Sequence, residues 1–563
     1  MKRENRMIVA AVLLPLFVGT FFGQDDVYKL STIRFIVLTA VIAAYNLFLF
    51  ARKVEREHRR IVFVCSGMSL FVMGLIQGVC FLRQAENLDG RLICGLGILL
   101  AVIVLGAFCL LLKLEKGVTE NVIVIVIYAA FLIRVFYIVM NQAHLFQNDI
   151  AGFGPENYGH FGYIYFLFTD GKLPDVNPMD YYELYQPPLH YAVSALFFKL
   201  LQFLGCPQEI WEELLQVLML TYSCLIIVFI NKIAIRLKLS LSGRLAVICF
   251  AGFLPYSVMM SGSLNNDLLA TLFVFMSVYF TLKWYDDPDL KTILIMALCI
   301  GCAMMSKISA ALIAPAMAVL MLQRAWKDRE RWMVYLKQFV CFGLIAFPLG
   351  LWHSTYNFIK YQMPFGYAAS LGEDSAQFIG FHDKWSRFFD FDRAFEFLAV
   401  RIDYINDFAD YNIPVTLIKF AVFGESSYYQ ASELTNILGI SIFWATAALF
   451  ALMALMFAVW CFLKDGRLVQ KIFLFTGAAV ILYFYLKFCI KYTHVCTMSV
   501  RYVISAVYIG CLIIGAAITS LQQRSVTKNG IGGHICSKIV TGLSVIYATA
   551  VIVLIAGMEQ VLF

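Results

Sequence analysis

Long apolar runs recur along the whole chain and constrain its fold more than any other feature. A helix that crosses a bilayer needs roughly 20 consecutive apolar residues, and only a closed barrel can replace helices inside hydrocarbon. A barrel strand would show alternation over about ten residues, whereas these runs are longer and continuous. We expect about fifteen helical spans of this length. They lie near residues 7–23, 31–50, 61–82, 92–112, 122–141, 212–232, 245–260, 268–284, 292–305, 308–322, 339–352, 435–463, 472–489, 500–520 and 539–558.

The composition favours the same fold class. Hydrophobic residues make up 61% of the 563 residues and charged residues 14%, and the mean hydropathy is +0.78. A soluble domain of this length does not need so much apolar sequence. The sequence therefore predicts an all-α polytopic membrane protein, a transmembrane helix bundle of about 13–15 spans. Residues 7–23 lack a small-residue cleavage pattern after them, so we expect a retained helix there and not a signal peptide.

Basic residues in short connectors predict the orientation of the spans. Cytoplasmic connectors of membrane proteins carry an excess of Lys and Arg. The basic residues behind the net charge of +7 lie largely in such connectors, so this charge does not indicate nucleic-acid binding. The basic connectors, expected on the cytoplasmic side, are 51–60, 236–244, 323–338, 464–471 and 522–538. The segments then expected outside are 142–190, 261–267 and 353–434.

The predicted orientation requires that one short apolar stretch does not cross the membrane. If residues 189–204 crossed the membrane, the basic connector 236–244 would lie outside. A helix from Pro188 to Leu204, lying on the outer surface, removes the conflict. Proline is tolerated at a helix start because the first N–H groups lack partners there, and about 16 residues is short for a span.

The first outer segment is unusually polar for this chain. Residues 144–191 carry six carboxylates against the single lysine Lys172, and they predict one wall of an active site at the membrane surface. The carboxylates are Asp149, Glu156, Asp170, Asp175, Asp180 and Glu183. The later outer segment 353–434 is aromatic and acidic, which is typical of a partly helical cap against the outer leaflet.

These features divide the chain into four parts. We expect an N-terminal four-helix extension over 1–121 and a catalytic transmembrane core over 122–352 that includes the outer loop 142–190. A large outer loop or cap follows at 353–434, and C-terminal transmembrane helices at 435–563.

An ordered set of motifs links the outer segments to a known family. Asp149 lies in FQNDIAGFGPENYGH, and YQPPLHY occupies residues 185–191. Asp267 lies in SGSLNNDLLATLF, and MSKISA at 305–310 is followed by SVRYVISA at 499–506. In order and sidedness this set resembles membrane glycosyltransferases of the GT-C superfamily, of the glycosyltransferase family 39 type. That group includes the protein O-mannosyltransferases and the lipid A aminoarabinose transferase.

The resemblance implies a reaction and a catalytic residue. Enzymes of this kind transfer a sugar from a polyprenyl-phosphate donor to an acceptor hydroxyl outside the cytoplasm, with inversion. A carboxylate accepts the proton of the acceptor hydroxyl, and cations stabilise the departing phosphate. The family pattern assigns the base to Asp149. Family members often have two adjacent acids here, whereas Asn148 precedes Asp149 in this chain.

Further residues are candidates for substrate binding. Lys307 lies at a turn between apolar runs and suits either a phosphate or lipid headgroups, and Arg501 can bind phosphate through its planar fork. Asp267 starts a span, where it could cap the helix or hold the first loop. If Gly154-Pro155 started a helix, Glu156 and His160 would lie one turn apart and could orient Asp149 or bind a divalent ion. The complete set of substrate-binding candidates is Glu156, His160, Tyr185, Gln186, His190, Asp267, Lys307, Lys491 and Arg501.

Other partners and functions remain open from the sequence. No cofactor is firmly implied, although a divalent metal is compatible with the acids of the first loop. The expected partners are the polyprenyl-phosphate-sugar donor, a glycan, lipid or protein acceptor, and membrane lipids, at the extracytoplasmic face of the plasma membrane. The alternatives are a lipid-linked glycan flippase or transporter, which would place charges or broken helices near the midplane of both halves, and a polysaccharide polymerase.

Overall fold

The structure is a computed structural model whose described part is almost entirely helical. It describes residues 61, 64–72, 74–76, 118–141, 143, 159–181, 183–369, 371–375, 377–391, 410–424, 433–528 and 531–557. The helices are α1 Glu120–Met140, α2 His160–Asp170, α3 Leu189–Phe203, α4 Trp211–Arg236, α5 Leu241–Phe253, α6 Pro255–Met259, α7 Asp267–Asp286, α8 Leu290–Ser306, α9 Ala314–Lys327, α10 Trp332–Tyr361, α11 Ser386–Phe389, α12 Ile413–Phe423, α13 Glu433–Phe462, α14 Leu468–Lys491, α15 Ile504–Lys528 and α16 Ile531–Gly557. Within these ranges the β pairing is one isolated antiparallel bridge between Phe378 and His494.

The helices confirm the predicted all-α, multi-pass membrane fold. Nine of them in the described ranges are long and apolar enough to span a membrane, or ten if α5 and α6 count as one bent span. The spans predicted near 7–23, 31–50 and 92–112 lie outside the described residues, so the predicted total of 13–15 remains a prediction. Within the span predicted near 61–82, residues 64–72 and 74–76 are helical.

The span predicted near 245–260 is broken in the structure. Helices α5 and α6 meet at Leu254 with a bend of 64°. Pro255 lacks a backbone N–H and cannot continue the hydrogen-bond ladder of α5, which is a common cause of such a kink. The bend turns the chain toward residues 260–267 and so positions the start of α7.

Arg134 of α1 binds the backbone on both sides of this break. The side chain is fully buried, and its Nη1 donates to the carbonyl of Gly252 at 2.7 Å. Its Nη2 donates to the carbonyl of Ser257 at 3.2 Å and to the Ser257 hydroxyl at 2.7 Å. The Ser257 hydroxyl is in turn 2.7 Å from the hydroxyl of Tyr508 in α15. A break inside hydrocarbon needs such partners for the backbone groups that it releases.

Both ends of helix α10 differ from the sequence prediction. The span predicted at 339–352 extends over Trp332–Tyr361, with Pro348 inside the helix, so the first residues of the predicted outer segment 353–434 belong to α10. Proline is tolerated inside such helices because neighbouring groups satisfy the backbone that it releases. The outer segment is partly helical as expected, with α11 and α12 in its described part.

Helix α3 has the size and the two faces predicted for a surface helix. It contains 15 residues, too few to cross a bilayer. His190 and Tyr191 on one face are buried, whereas Leu196 and Phe203 are 69% and 86% exposed. An exposed apolar face on a short helix fits the outer-leaflet position that the sequence predicts.

Three of the predicted cytoplasmic connectors meet at one end of the bundle. Arg236 of α4 and Asp286 of α7 form an ion pair with a 3.1 Å N–O distance. Arg467 donates to the carbonyl of Leu237 at 3.4 Å, and the backbone N–H of Ser240 donates to the hydroxyl of Thr519 at 2.9 Å. The connectors after α4, α13 and α15 therefore share an end. The residues of the candidate site lie at the opposite ends of α4, α7 and α8.

Candidate active site

Three chain segments converge at the end of the bundle opposite the basic connectors. Helix α7 begins at Asp267, helix α8 ends at Ser306, and a short 3-10 turn, Val500–Tyr502, leads into α15. Lys307 follows α8 in extended conformation, with φ −156° and ψ 123°, before the 3-10 segment Ile308–Ile313. The predicted turn at Lys307 is therefore confirmed.

Lys307 and Asp267 form a partly buried ion pair. The Nζ of Lys307 lies 2.5 Å from Oδ1 of Asp267, and the two side chains are 14% and 6% exposed. Asp267 is the first residue of α7, where a carboxylate is favoured by the unsatisfied backbone N–H groups of the first turn. Asp267 therefore lies in the first turn of α7, whose N-cap is Asn266 without a side-chain cap hydrogen bond, and its contact with Lys307 was not predicted from the sequence.

The ring of Tyr502 lies between two cations. The Nζ of Lys307 is 4.7 Å from the ring centre, and the Cζ of Arg501 is 5.0 Å from it. Arg501 also donates to the Tyr502 hydroxyl at 3.0 Å. Cation–π contacts of this length are attractive, so the tyrosine helps to hold two like charges in one wall.

A cavity joins these charged residues to an apolar surface. Its polar lining consists of Asp267, Thr271, Lys307, Ser309, Arg501, Tyr502 and Ser505. Its apolar lining consists of Ala270, Val274, Ala310, Leu312, Ile313 and Ile481. A cavity lined by both cations and aliphatic side chains fits an amphiphile with an anionic head.

The YQPPLHY segment forms the neighbouring wall. Asn266 donates to the side-chain carbonyl of Gln186 at 3.3 Å and to the carbonyl of Ser306 at 2.8 Å. His190 is fully buried, with Nε2 3.3 Å from the carbonyl of Leu264. Burial lowers the pKa of His190 to about 3, with a smaller contribution from His160. The ring is therefore neutral near pH 7, and Nε2–H donates to the carbonyl.

Tyr185 connects this wall to Arg501 and to the outer segment. Its ring packs edge-on against Tyr367, with 5.4 Å between the ring centres. Burial raises the pKa of Tyr185 and the nearby Glu183 carboxylate raises it further, while the charge of Arg501 acts in the opposite direction. The structure therefore brings Tyr185, Gln186 and His190 beside the predicted phosphate-binding cations.

A second polar cluster lies around His160, at the start of α2. Nδ1 of His160 is 2.8 Å from the hydroxyl of Tyr191 and 3.7 Å from Oε2 of Glu183. Glu183 is one of the six carboxylates of the first outer segment, but it was not among the predicted site residues. Its position two residues before the YQPPLHY motif was the feature of the sequence that could have indicated a role in the site.

The predicted base, Asp149, and Glu156 lie outside the described residues. The residues that flank them are described at both ends. The carbonyl of Asn141 accepts a hydrogen bond from Nε2 of Gln216 at 3.2 Å, and the same Nε2 donates to the carbonyl of Gly262 at 3.2 Å. His160 contacts Tyr191, as described above. Both flanking points therefore lie at the same end as Asp267.

The expectation that Glu156 and His160 share one helix is wrong. Helix α2 begins at His160, and Gly159 before it is extended, with φ −136° and ψ −165°. An extended residue interrupts the i to i+4 hydrogen bonds, so a helix starting at Gly154-Pro155 cannot continue through Gly159 to His160.

Some candidates lie apart from the cavity. Lys491 ends α14 and is exposed, with its Nζ 3.1 Å from the hydroxyl of Tyr492. His494 packs beneath the outer segment, with Nε2 3.2 Å from the carbonyl of Gly372. Arg387 of the outer segment is likewise used in packing, since its Nη1 donates to the carbonyl of Cys489 at 2.7 Å.

No group of three or more His, Cys, Asp or Glu side chains in the described ranges has the arrangement of a metal site. The divalent ion considered from the sequence would be bound by Glu156 and His160, and Glu156 lies outside those ranges. The described residues therefore add no ligand set to that hypothesis.

The family comparison agrees with the motif pattern. Residues 185–352 match the family described as dolichyl-phosphate-mannose-protein mannosyltransferase, which confirms the predicted resemblance to GT-C membrane glycosyltransferases over that part of the chain. A solved structure, ArnT from Cupriavidus metallidurans bound to undecaprenyl phosphate, is similar with a TM-score of 0.45 and 13% identity, over 77% of this chain and 76% of that chain. No curated protein matches the chain.

Proposed function

We propose that this membrane protein transfers a sugar from a polyprenyl-phosphate donor to an acceptor hydroxyl at the extracytoplasmic face of the plasma membrane. Asp149 acts as the general base, and the sugar carbon is inverted. Lys307 and Arg501 bind the donor phosphate. The acceptor is a glycan, a lipid or a protein.

The observation that carries this proposal is the mixed lining of the cavity. Lys307 and Arg501 contribute cations to it, and Val274, Ile313 and Ile481 contribute apolar side chains. A polyprenyl phosphate combines an anionic head with a hydrocarbon tail, which suits these two kinds of lining residue. Two cations suit a phosphate that gains negative charge as the sugar departs, because electrostatic stabilisation is largest where charge develops.

The base has to approach the sugar from the face opposite the phosphate, as inversion requires. Its flanking points support this arrangement, since Asn141 and His160 both lie at the end of the bundle where Asp267 and Lys307 meet. A carboxylate in hydrogen-bond reach of an acceptor hydroxyl takes up its proton as the new bond to carbon forms. The bond from carbon to phosphate oxygen breaks at the same time, and the electron pair remains on the phosphate.

The direct test uses purified protein in detergent with polyprenyl-phosphate sugars and candidate acceptors. Asp149→Asn should abolish turnover while donor binding stays intact, and Lys307→Ala should weaken donor binding. Lys172→Ala, at an exposed lysine of the same outer segment, serves as the matched control and should change neither. Unchanged turnover in Asp149→Asn would remove the proposed base.

The detergent assay also separates the main alternative. A flippase or transporter moves its substrate between two compartments, and it has no measurable product where no bilayer separates them. The described helices contain one bent pair, α5 and α6, whereas a transporter would be expected to have broken helices in both halves. A covalent sugar–acceptor product formed in detergent identifies a transferase.

A further inference from the structure

We infer that Glu183 binds the sugar of the donor, by accepting hydrogen bonds from its hydroxyl groups. This inference rests on the proposed function and adds a residue that recognises the sugar and not the phosphate. Three observations support it: the backbone conformation of Glu183, its unsatisfied carboxylate oxygen, and its neighbours in both parts of the proposed site.

The backbone of Glu183 is held in a left-handed conformation. Its φ of 66° is one of three positive values among non-glycine residues in the described ranges, the others being at Lys238 and Gln362. Those two residues end α4 and α10, where a left-handed residue commonly terminates a helix. Glu183 ends no α-helix, and it starts a turn in which its carbonyl accepts from the N–H of Gln186 at 3.0 Å. Such conformations cost free energy and are concentrated at functional sites.

The carboxylate of Glu183 has an unsatisfied oxygen. Oε2 is buried, and no donor among the described residues is within hydrogen-bond distance of it, although the side chain as a whole is 18% exposed. Nδ1 of His160 lies 3.7 Å away, beyond hydrogen-bond distance, and is 2.8 Å from the Tyr191 hydroxyl. A buried carboxylate oxygen without a donor is unfavourable, so a donor supplied by a ligand would be bound strongly.

Glu183 has neighbours in both parts of the proposed site. His160, whose Nδ1 is 3.7 Å from Oε2 of Glu183, follows the segment that carries Asp149. Tyr185 comes two residues after Glu183, and the charges of both Glu183 and Arg501 act on it. In a transfer reaction the sugar occupies the space between the base and the phosphate. A carboxylate in this interval reaches sugar hydroxyls, while its negative charge disfavours direct contact with the phosphate.

The inference predicts that Glu183 distinguishes a sugar-bearing donor from the bare carrier lipid. Binding should be measured in detergent for undecaprenyl phosphate and for undecaprenyl phosphate linked to mannose, glucose and galactose. The sugar donor that wild type binds most tightly is then used for the variants. Glu183→Gln should weaken binding of that donor about tenfold or more, since hydrogen bonds to charged groups are the stronger ones. Binding of undecaprenyl phosphate should change less than twofold, whereas Lys307→Ala should weaken both.

Glu183→Gly separates a functional role from a structural one. Glycine adopts a positive φ without steric cost, so this variant should melt at the same temperature as wild type or higher while losing the sugar-dependent part of binding. Asp180→Asn changes an exposed carboxylate three residues away and is the matched control, which should leave binding and melting unchanged.

The remaining outcomes overturn the inference in distinguishable ways. Equal losses for the bare lipid and the sugar donor in Glu183→Gln, or no loss for either, exclude sugar recognition by Glu183. A lower melting temperature in both Glu183→Gln and Glu183→Gly indicates a structural carboxylate. Sugar recognition by Glu183 is also excluded if wild type binds every sugar donor no more tightly than undecaprenyl phosphate. If wild type binds none of the four lipids, the proposed function itself fails.

Discussion

Lys307 and Asp267 are 40 residues apart in the chain, yet their side chains meet at 2.5 Å where α7 begins and α8 ends. The pair keeps the lysine in place beside the ring of Tyr502 before any anion arrives. It also leaves Arg501 as a second cation in the same cavity wall. A phosphate entering the cavity therefore meets an arranged set of charges, which is the condition for electrostatic stabilisation without reorganisation.

The ion pair should be detectable by a double-mutant cycle on stability. Asp267→Asn leaves the Lys307 ammonium partly buried without a counter-charge, and we expect a loss of about 3 kcal/mol in the free energy of unfolding. Lys307→Met alone leaves the aspartate uncompensated and should also destabilise. The double variant should recover part of the loss, because neither charge is then left alone. Thermal unfolding in detergent measures all four proteins, and strictly additive losses would show that the pair does not couple.

The glycines at the crossing of α5 and α15 should be intolerant of side chains. A Cβ on Gly515 would lie 2.5 Å from Cγ2 of Val247, and one on Gly243 would lie 2.5 Å from the carbonyl oxygen of Gly515. Both contacts are far below van der Waals distance, and small residues at such crossings let helices approach closely in membranes. Gly515→Leu should therefore reduce the yield of monodisperse protein severely.

A glycine of α16 provides the control for that substitution. Apart from the nearby backbone of its own helix, no atom of the described residues lies within 4 Å of the position that a Cβ on Gly542 would take, so Gly542→Leu should behave as wild type in size-exclusion profile and melting temperature. Equal damage from both substitutions would mean that general helix effects, and not the crossing, account for the loss.

The neutral His190 predicts a pH-dependent stability. Its pKa in the folded protein is lowered to about 3 by burial, against 6.5 when exposed. Below about pH 6.5 the unfolded chain binds a proton at this residue that the folded chain does not, so stability falls as the pH falls from 6.5 toward 3. The slope from one such group is about 1.4 kcal/mol per pH unit.

His190→Gln tests this slope because the amide retains a donor for the carbonyl of Leu264. Melting temperatures of wild type and variant should be compared from pH 7.5 to 5. We expect the wild type to lose stability more steeply than the variant over that range. Parallel curves would show that other groups account for the acid sensitivity.

Much of the helical architecture was predictable because hydrocarbon imposes strict lengths on spanning helices. Apolar run lengths, proline positions and basic connectors predicted the start of α7 at Asp267, the turn at Lys307 and a surface position for α3. The extension of α10 to Tyr361 did not, because residues 353–361 contain polar side chains such as His353 and Asn357 that the helix buries internally.

Site residues that belong to recognisable motifs could be predicted from the sequence. Residues whose role depends on the local backbone conformation could not. Lys307, Arg501 and Asp267 were chosen from their motifs, and the structure places all three in one cavity. Glu183 was missed because its distinguishing features are a left-handed backbone and an unsatisfied oxygen, and neither is visible in sequence. The prediction of a shared helix for Glu156 and His160 failed because three glycines and a proline in GFGPENYGH permit several chain directions.

We expect Arg134 to stabilise the bend between α5 and α6 through the planar shape of its guanidinium group as well as through its charge. It makes five hydrogen bonds, to Ser223, Ala130, Gly252 and, twice, Ser257. Arg134→Leu removes every donor and leaves buried carbonyls unsatisfied, at about 1–3 kcal/mol for each buried group. Arg134→Lys keeps the charge but not the planar fork, so it should rescue little. Melting in detergent should show both variants well below wild type, and a full rescue by lysine would indicate that charge alone matters.

The orientation of the site should be tested with an impermeant thiol reagent on intact cells. Lys172, in the first outer segment, and Lys464, in a basic connector, are both exposed. Among the cysteines that the structure describes, Cys461 is the exposed one, so Cys461→Ser is the starting background and its own labelling is subtracted. If the basic connectors face the cytoplasm, Lys172→Cys should react in intact cells, and Lys464→Cys only after the membrane is permeabilised. The reverse pattern would place the cavity of Lys307 and Arg501 on the cytoplasmic side, where the proposed extracytoplasmic transfer could not take place.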